Sequence, residues 1–302
     1  MYHILSCDQF NQDELEGIFK LTDAIRANPE KFSTSLSGKL VATVFYEPST
    51  RTRLSFEAAV LRLGGKVIST ENAREMSSVI KGESLFDTIR VIGGYCDAIV
   101  LRHPDRNAAG DAASVARVPI INAGSGSGEH PTQALLDVYT IYKYKKSLDG
   151  LSIAVMGDLL FGRTVHSLVK LLALYKDVTI YGLSRDVLAL PEEYVSYLEE
   201  RGVRYVPCRS FEELPSDLDV LYHTRTQTER FHTDLHVEEF VVDLEVMQRF
   251  SDQTILLHPL PRRHEISPAV DTDKRAAYFA QSHNGMYVRM SLLHSIMGTS
   301  TK

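Results

Sequence analysis

Residues 39–57 read Lys39-Leu-Val-Ala-Thr-Val-Phe-Tyr-Glu-Pro-Ser-Thr-Arg-Thr-Arg-Leu-Ser-Phe-Glu57. As far as Glu47 the run is apolar and β-branched enough for a buried strand. Beyond it, Leu54, Ala58 and Leu61 give an apolar helical face that ends at Gly64-Gly65. Between strand and helix, Ser49, Thr50, Arg51, Thr52 and Arg53 offer three hydroxyls and two guanidinium groups. Free N–H groups and the positive end of the helix dipole collect at such a start and favour an anion. Hydroxyl donors and a fork-shaped arginine make phosphate the anion of choice. The plain alternative is an ordinary capped helix with surface arginines beside it.

The same strand–helix step recurs along the chain. Strand-like runs lie near 39–47, 66–70, 97–102 and 118–122, and again near 151–157, 177–182, 203–206, 218–222 and 254–258. Helical patterns separate them, which predicts an α/β protein with two domains, each a mainly parallel sheet flanked by helices. The polar stretch Lys143–Gly150 ends in glycine just before a fresh buried strand and marks the boundary. The last helix is expected from about Tyr287 to Met297. Unusual polar residues follow strands at Ser49–Thr52, Arg102, His130, Gly157–Arg163, Arg225 and His258–Arg262. Ligands of open α/β sheets bind beyond the carboxyl ends of strands, so these segments are expected to converge on one cleft between the two domains.

Bulk properties narrow the function. A chain of 302 residues, 44% hydrophobic and 24% charged, is an ordinary globular protein with room for two domains. Lys plus Arg is 33 against 39 for Asp plus Glu, a net charge of −6, which argues against a nucleic-acid partner. A local arginine cluster still allows a small anionic ligand. Cys7, Cys96 and Cys208 lack metal or redox spacing, so three unlinked thiols and a cytoplasmic setting are expected. The start, Met1-Tyr-His-Ile-Leu-Ser-Cys-Asp8, carries no secretion pattern, and no apolar run is long enough for a membrane span. His232 and His236 have helical metal spacing but no third ligand, so no metal is expected.

Other segments add candidate ligands, each weak alone. Arg102 ends the apolar run Asp97–Arg102 and could hold a phosphate or a carbonyl oxygen; otherwise it is a solvated strand end. Asn122–Gln133 contains three glycines, and Pro131 suits the first position of a helix running to about Tyr144. His130 and Gln133 then stand in its first turn, where an imidazole can donate to an oxyanion and an amide can pair with a neutral amide, or where both are merely capping residues. Ser77 and Lys81 share a face only if their stretch is helical. Gly157–Thr164 nearly matches a nucleotide phosphate loop but has Arg163 in place of the required lysine, and Leu159 spoils a dinucleotide fingerprint. Arg163 therefore reads as a carboxylate clamp, with Arg225 and Gln227 supplying a further guanidinium and amide after the next strand.

Taken together, Ser49-Thr-Arg-Thr-Arg53, Arg102-His-Pro104, His130-Pro-Thr-Gln133, Gly162-Arg-Thr164 and His258-Pro-Leu-Pro-Arg262 resemble the transcarbamoylase family. The similarity runs in order through nearly the whole chain. Ornithine-specific members usually carry His-Cys-Leu-Pro where this chain has His258-Pro-Leu-Pro, and a Ser-Met-Gly segment not found here, so the resemblance favours L-aspartate as acceptor.

That resemblance implies a carbamoyl phosphate-binding domain of residues 1–147 plus 286–302 and an aspartate-binding domain of residues 148–285. It implies transfer of the carbamoyl group to the aspartate amine, giving N-carbamoyl-L-aspartate and phosphate in de novo pyrimidine biosynthesis. By motif, Ser49, Thr50, Arg51 and Thr52 hold the phosphate, and Arg102 bridges phosphate and carbonyl oxygen. Thr52, Arg102 and His130 polarise the carbonyl. Gln133 and the backbone carbonyls of Pro259 and Leu260 receive the carbamoyl amine. Arg163, Arg225 and Gln227 grip the aspartate carboxylates. Ser77 and Lys81 come from the adjacent subunit, Lys81 reaching both substrates, which implies a homotrimer with shared sites. Regulatory chains or another pyrimidine-pathway enzyme are further partners the family admits. No cofactor is implied: an amine attacking a carbamoyl carbon needs alignment and oxyanion donors, not a protein nucleophile.

Overall fold

A computed structural model of the chain describes residues 2–72, 82–126, 128–227 and 237–298. These fall into two compact units, one of residues up to Gln133 plus those from Gly285 onward, the other Ala134–Asn284.

The first unit is built on four parallel strands, β1 Leu40–Phe45, β2 Lys66–Thr70, β3 Ala98–His103 and β4 Ile120–Ser125, in the order β2-β1-β3-β4. Around them run α1 Gln12–Ala27, α2 Thr50–Arg62, α3 Leu85–Ile92 and α4 Ala108–Val115. β1 and β3 are apolar almost throughout because central parallel strands are covered on both faces. Ile4 extends the sheet by bridging to Ile121 beside β4. One cluster of the core gathers Val44, Tyr46, Ile89, Ile99, Leu101 and Ile120; complete burial of each large apolar side chain contributes about 1.5–3 kcal/mol.

The buried stripe of α2 differs from the expected one. Thr52, Phe56, Ala59 and Val60 are buried, whereas Leu54 is 50% and Leu61 61% exposed. The two stripes are offset by about half a turn, and Phe56 carries more apolar area than Leu54, so it decides which face turns inward.

The second unit holds β5 Ser152–Gly157, β6 Thr179–Leu183, β7 Arg204–Cys208, β8 Val220–Thr224 and β9 Ile255–Leu257, all parallel, in the order β7-β6-β5-β8-β9. Its helices are α6 Arg163–Leu172, α7 Glu192–Glu199 and α8 Leu244–Gln248. Helix α5, Pro131–Lys145, begins in the first unit and continues in this one; α9, Tyr278–Met297, runs from this unit back into the first. A core cluster joins Ala154, Met156, Leu221, Leu256, Val270 and Tyr278.

In each sheet the strand order reverses once, between β1 and β3 and between β5 and β8. Chains leaving such a pair turn to opposite faces and open a crevice at the carboxyl ends, where ligands of α/β sheets bind. The structure therefore carries two crevices of one kind, one per unit.

Gly157 closes β5 at φ 102, and a Cβ there would stand 2.0 Å from the Thr224 carbonyl oxygen of β8. Gly157→Ala is expected to cost at least about 2 kcal/mol through strain and backbone collision. Urea denaturation of the variant beside the wild type checks this; an unchanged midpoint refutes it.

Candidate active site

In the first unit the segments after β1, β3 and β4 meet at one sheet edge. Phe45 pairs with Arg102, the Tyr46 N–H donates to the Arg102 carbonyl at 2.9 Å, and His103 pairs with Ser125. The β3–β4 register slips by one residue, and Gly124 in the slipped stretch sits at φ 115. This bulge turns the chain toward α5. His130 and Gln133 stand at its start, both buried, with the Gln133 N–H donating to the His130 carbonyl at 3.0 Å.

Ser49 is the N-cap of α2, but its side chain makes no capping hydrogen bond. The plain cap that the sequence allowed is therefore not how this hydroxyl is used. Thr52 is buried in the first turn and Arg51 is exposed. Arg53 instead faces Glu71 at 3.0 Å and Glu57 at 3.8 Å, and Glu57 also accepts from Ser69 at 2.6 Å and Thr43 at 3.0 Å. This second guanidinium thus ties α2 to the sheet. Arg102 lies 3.5 Å from the Glu47 carboxylate and donates to the Ala123 carbonyl at 3.4 Å.

Charge placement separates the helix starts. The first turns of α1, α3, α4, α7 and α8 each carry an acid, as the dipole favours. Those of α2, α5 and α6 carry none, and neither does that of α9. The candidate segments thus open three of the acid-free helices, where an external anion meets no carboxylate from the first turn.

In the second unit Arg163, Arg225 and Gln227 follow β5 and β8, the pair at which the strand order reverses. Asp158, fully buried, accepts from the Phe161 N–H at 2.8 Å and from the Gln227 N–H at 3.0 Å. The Gln227 side chain donates back to the Phe161 carbonyl at 2.7 Å. These bonds bring the loop that positions Arg163 beside the one carrying Arg225 and Gln227. Arg163 is buried at the start of α6; Arg225 is half-buried and donates to the Thr226 carbonyl at 3.2 Å.

After β9 the chain reaches Pro259 and Leu260, and Leu260 adopts φ 55, a left-handed conformation rare for a bulky residue. His258 holds it in place, its Nδ1 accepting the Leu260 N–H at 2.7 Å. The ring's other nitrogen faces Glu265 at 2.9 Å. Burial would raise the Glu265 carboxyl, but bonds from His258 and from backbone N–H groups, that of Arg263 included, outweigh it and hold the pKa down at about 2. Nearby, burial and the neighbouring His258 push the His223 imidazole down to about 4. Ser77 and Lys81, like the pair His232 and His236, lie outside the described residues.

A family model described as aspartate/ornithine carbamoyltransferase, carbamoyl-P binding domain, matches residues 2–143, and one for the Asp/Orn binding domain matches residues 149–296. The chain is 48% identical to "Aspartate carbamoyltransferase 3, chloroplastic" of Pisum sativum over 303 residues, covering 97% of this chain and 77% of that one. The chain belongs to the aspartate/ornithine carbamoyltransferase family. It is likewise 48% identical to the aspartate carbamoyltransferase catalytic subunit of Clostridium novyi, over 96% of this chain and 95% of that one. Among solved structures, aspartate transcarbamoylase from Trypanosoma cruzi in complex with carbamoyl phosphate and aspartate superposes with a TM-score of 0.92 at 39% identity, covering 98% and 96% of the two chains.

Sequence reasoning missed the carboxylates that shape this carbamoyltransferase scaffold. Glu47 lay inside the opening stretch, and Asp158 inside the near-match to a nucleotide loop, but neither carries a motif of its own. Asp137 and Gln281 are 144 positions apart, and nothing in a single sequence links them.

The Glu265 carboxyl is depressed from 4.5 to about 2, so it contributes stability that is complete above about 4.5 and is lost as pH falls toward 2. Glu265→Gln is expected to flatten the pH dependence of unfolding across that window relative to the wild type. Parallel slopes in urea titrations at several pH values would count against it.

Proposed function

We propose that this family member transfers the carbamoyl group of carbamoyl phosphate to the amine of L-aspartate, giving N-carbamoyl-L-aspartate and phosphate for pyrimidine synthesis. The observation that carries the reading is the start of α2: Ser49 uncapped by its own hydroxyl, Thr52 buried in the first turn, and no acid among the opening residues. The acid-free start of α6 beside Arg225 and Gln227 supports the acceptor half. Relatives named aspartate carbamoyltransferase match over nearly the whole chain.

In this reading Ser49, Thr50, Arg51 and Thr52 bind the phosphate. Thr52, Arg102 and His130 donate to the carbonyl oxygen as it gains charge in the tetrahedral intermediate. Gln133 and the carbonyls of Pro259 and Leu260 take the carbamoyl amine. Arg163, Arg225 and Gln227 take the aspartate carboxylates; a carboxylate about 4 Å from a guanidinium gains about 4 kcal/mol at an effective dielectric of 20 before desolvation. Several such pairs offset the repulsion between two anionic substrates. The aspartate amine attacks unprotonated, so the rate rises with pH through its titration. Residues 1–147 with 286–302 form the carbamoyl phosphate-binding domain and residues 148–285 the aspartate-binding domain.

A homotrimer completes the site, with Ser77 and Lys81 supplied by the neighbouring copy. The exposed Leu54 and Leu61 on α2 and Ile68 on the edge strand β2 support an interface on the first unit. Three free thiols fit a reducing, cytoplasmic setting, and no described helix is long and apolar enough to cross a membrane. Regulatory chains or a second pyrimidine-pathway enzyme are the further partners this reading admits.

The direct test incubates the enzyme with carbamoyl phosphate and L-aspartate, with L-ornithine as the competing acceptor, and identifies the product. Carbamoyl-aspartate is expected; ornithine turnover at equal or greater efficiency refutes the acceptor assignment. Arg51→Ala is expected to fold normally and to lower kcat/KM by at least about a hundredfold. Wild-type turnover from that variant removes the phosphate assignment. Mixing inactive Arg51→Ala and Lys81→Ala chains is expected to restore partial activity, because hybrid trimers contain intact shared sites. No recovery despite proven subunit exchange argues against sharing.

A further inference from the structure

Residues 258–263 form no helix or strand, yet side chains hold their backbone at three points. The His258 N–H donates to Gln281 Oε1 at 2.9 Å, the Leu260 N–H to His258 Nδ1 at 2.7 Å, and the Arg263 N–H to Glu265 Oε2 at 2.9 Å. Gln281 is itself oriented from below. Its Nε2 donates to Asp137 Oδ1 at 2.7 Å, while Asp137 Oδ2 accepts from the Tyr222 hydroxyl at 2.8 Å. Asp137, Gln281, Tyr222, His258 and Glu265 are each at most 1% exposed.

Donor and acceptor roles run in one direction through this chain of bonds. The His258 N–H can only donate and so takes the Gln281 oxygen, which turns the NH₂ end of the amide to Asp137, whose two oxygens both accept. The Nδ1 that accepts from Leu260 carries no proton, so the ring N–H sits on Nε2 toward Glu265. The result is a fixed backbone at Leu260 with φ 55, which a branched residue keeps only where its surroundings impose it.

We propose that Gln281, oriented by Asp137, is a positioning residue that fixes the carbonyls of Pro259 and Leu260 for the carbamoyl amine. This rests on the functional reading above. Displacing a ligand group by an ångström costs rate far more than it costs the binding of distant substrate atoms. The phosphate-binding residues belong to the other unit, so loss of Gln281 should fall on kcat and spare phosphate affinity.

The test compares wild type, Gln281→Ala, His258→Asn and His258→Gln in carbamoyl transfer and in binding of inorganic phosphate. An Asn amide reaches the Nδ1 position of histidine, whereas a Gln amide reaches the Nε2 position. Gln281→Ala is expected to lower kcat about 10- to 100-fold with the phosphate Kd within about twofold. His258→Asn should retain at least about fivefold more kcat than His258→Gln, by preserving the acceptor for Leu260. Wild-type kcat in folded Gln281→Ala, or a phosphate Kd that worsens in step with kcat, overturns the proposal. Equal kcat in the two His258 variants also overturns it, and that pair decides the matter if Gln281→Ala does not fold. A wild type without carbamoyl transfer would instead bring down the functional reading, whereas an active wild type with indifferent variants sinks this inference alone.

Discussion

A parallel sheet whose strand order reverses leaves a gap at the carboxyl ends of two neighbouring strands, and this protein uses that constraint twice. β1 and β3 border one gap, and β5 and β8 border the other. The helices that follow β1 and β5 start at these edges, so their unbonded N–H groups and positive dipole ends are delivered there by topology alone. Charge is then a matter of which residues occupy the first turns. Excluding acids from α2 and α6, while allowing them in α1, α3, α4, α7 and α8, leaves those two helix starts without an opposing first-turn carboxylate, in keeping with the anion-binding roles proposed for them.

The arginines around the first gap divide their labour by what stands next to them. Arg53 has two carboxylates within 4.0 Å and spends its charge joining α2 to β2 and the residue after it. Arg51, two positions away on the helix, is exposed on a different face. Arg102 differs again: it lies 3.5 Å from the Glu47 carboxylate and donates to the Ala123 carbonyl at 3.4 Å, so acid and backbone together orient its guanidinium. The opening motif of two arginines separated by a threonine therefore contains one half-buried group tied to carboxylates of the scaffold and one on the exposed side of the helix. Sequence alone presents the two as equals.

Much of the architecture was legible because it rests on local patterns. All nine expected strands form, β5 at 152–157 against an expectation of 151–157, and α5 begins at Pro131 as the proline signalled. Buried parallel strands are near-continuous apolar runs, and such runs are hard to hide in a sequence. What was illegible depends on long-range geometry. The α2 stripe was misread because two apolar rows compete on that helix and only the packed sheet chooses between them. The carboxylates of Asp137, Asp158 and Glu265 were missed because a single buried acid has no periodicity, and its partners lie in other elements.

Those three acids share a physical role. Each is buried, and burying a carboxylate is costly unless donors surround it. Asp158 takes two backbone N–H groups from separate loops; Asp137 takes a tyrosine hydroxyl and a glutamine amide; Glu265 takes a backbone N–H and a histidine ring. In every case the donors belong to, or lead directly to, the irregular segments after β5, β8 and β9. Each carboxyl thus sits buried among the donors it binds. Segments free of regular hydrogen bonding thereby gain fixed backbone geometry. A loop tied down by neutral side chains would be held less firmly, because hydrogen bonds to an ionised acceptor are about twice as strong as neutral ones. Fixed loops at the carboxyl edge and buried carboxylates are therefore one design rather than two, because the donors that offset the cost of burying each acid are the groups that hold the loop backbone.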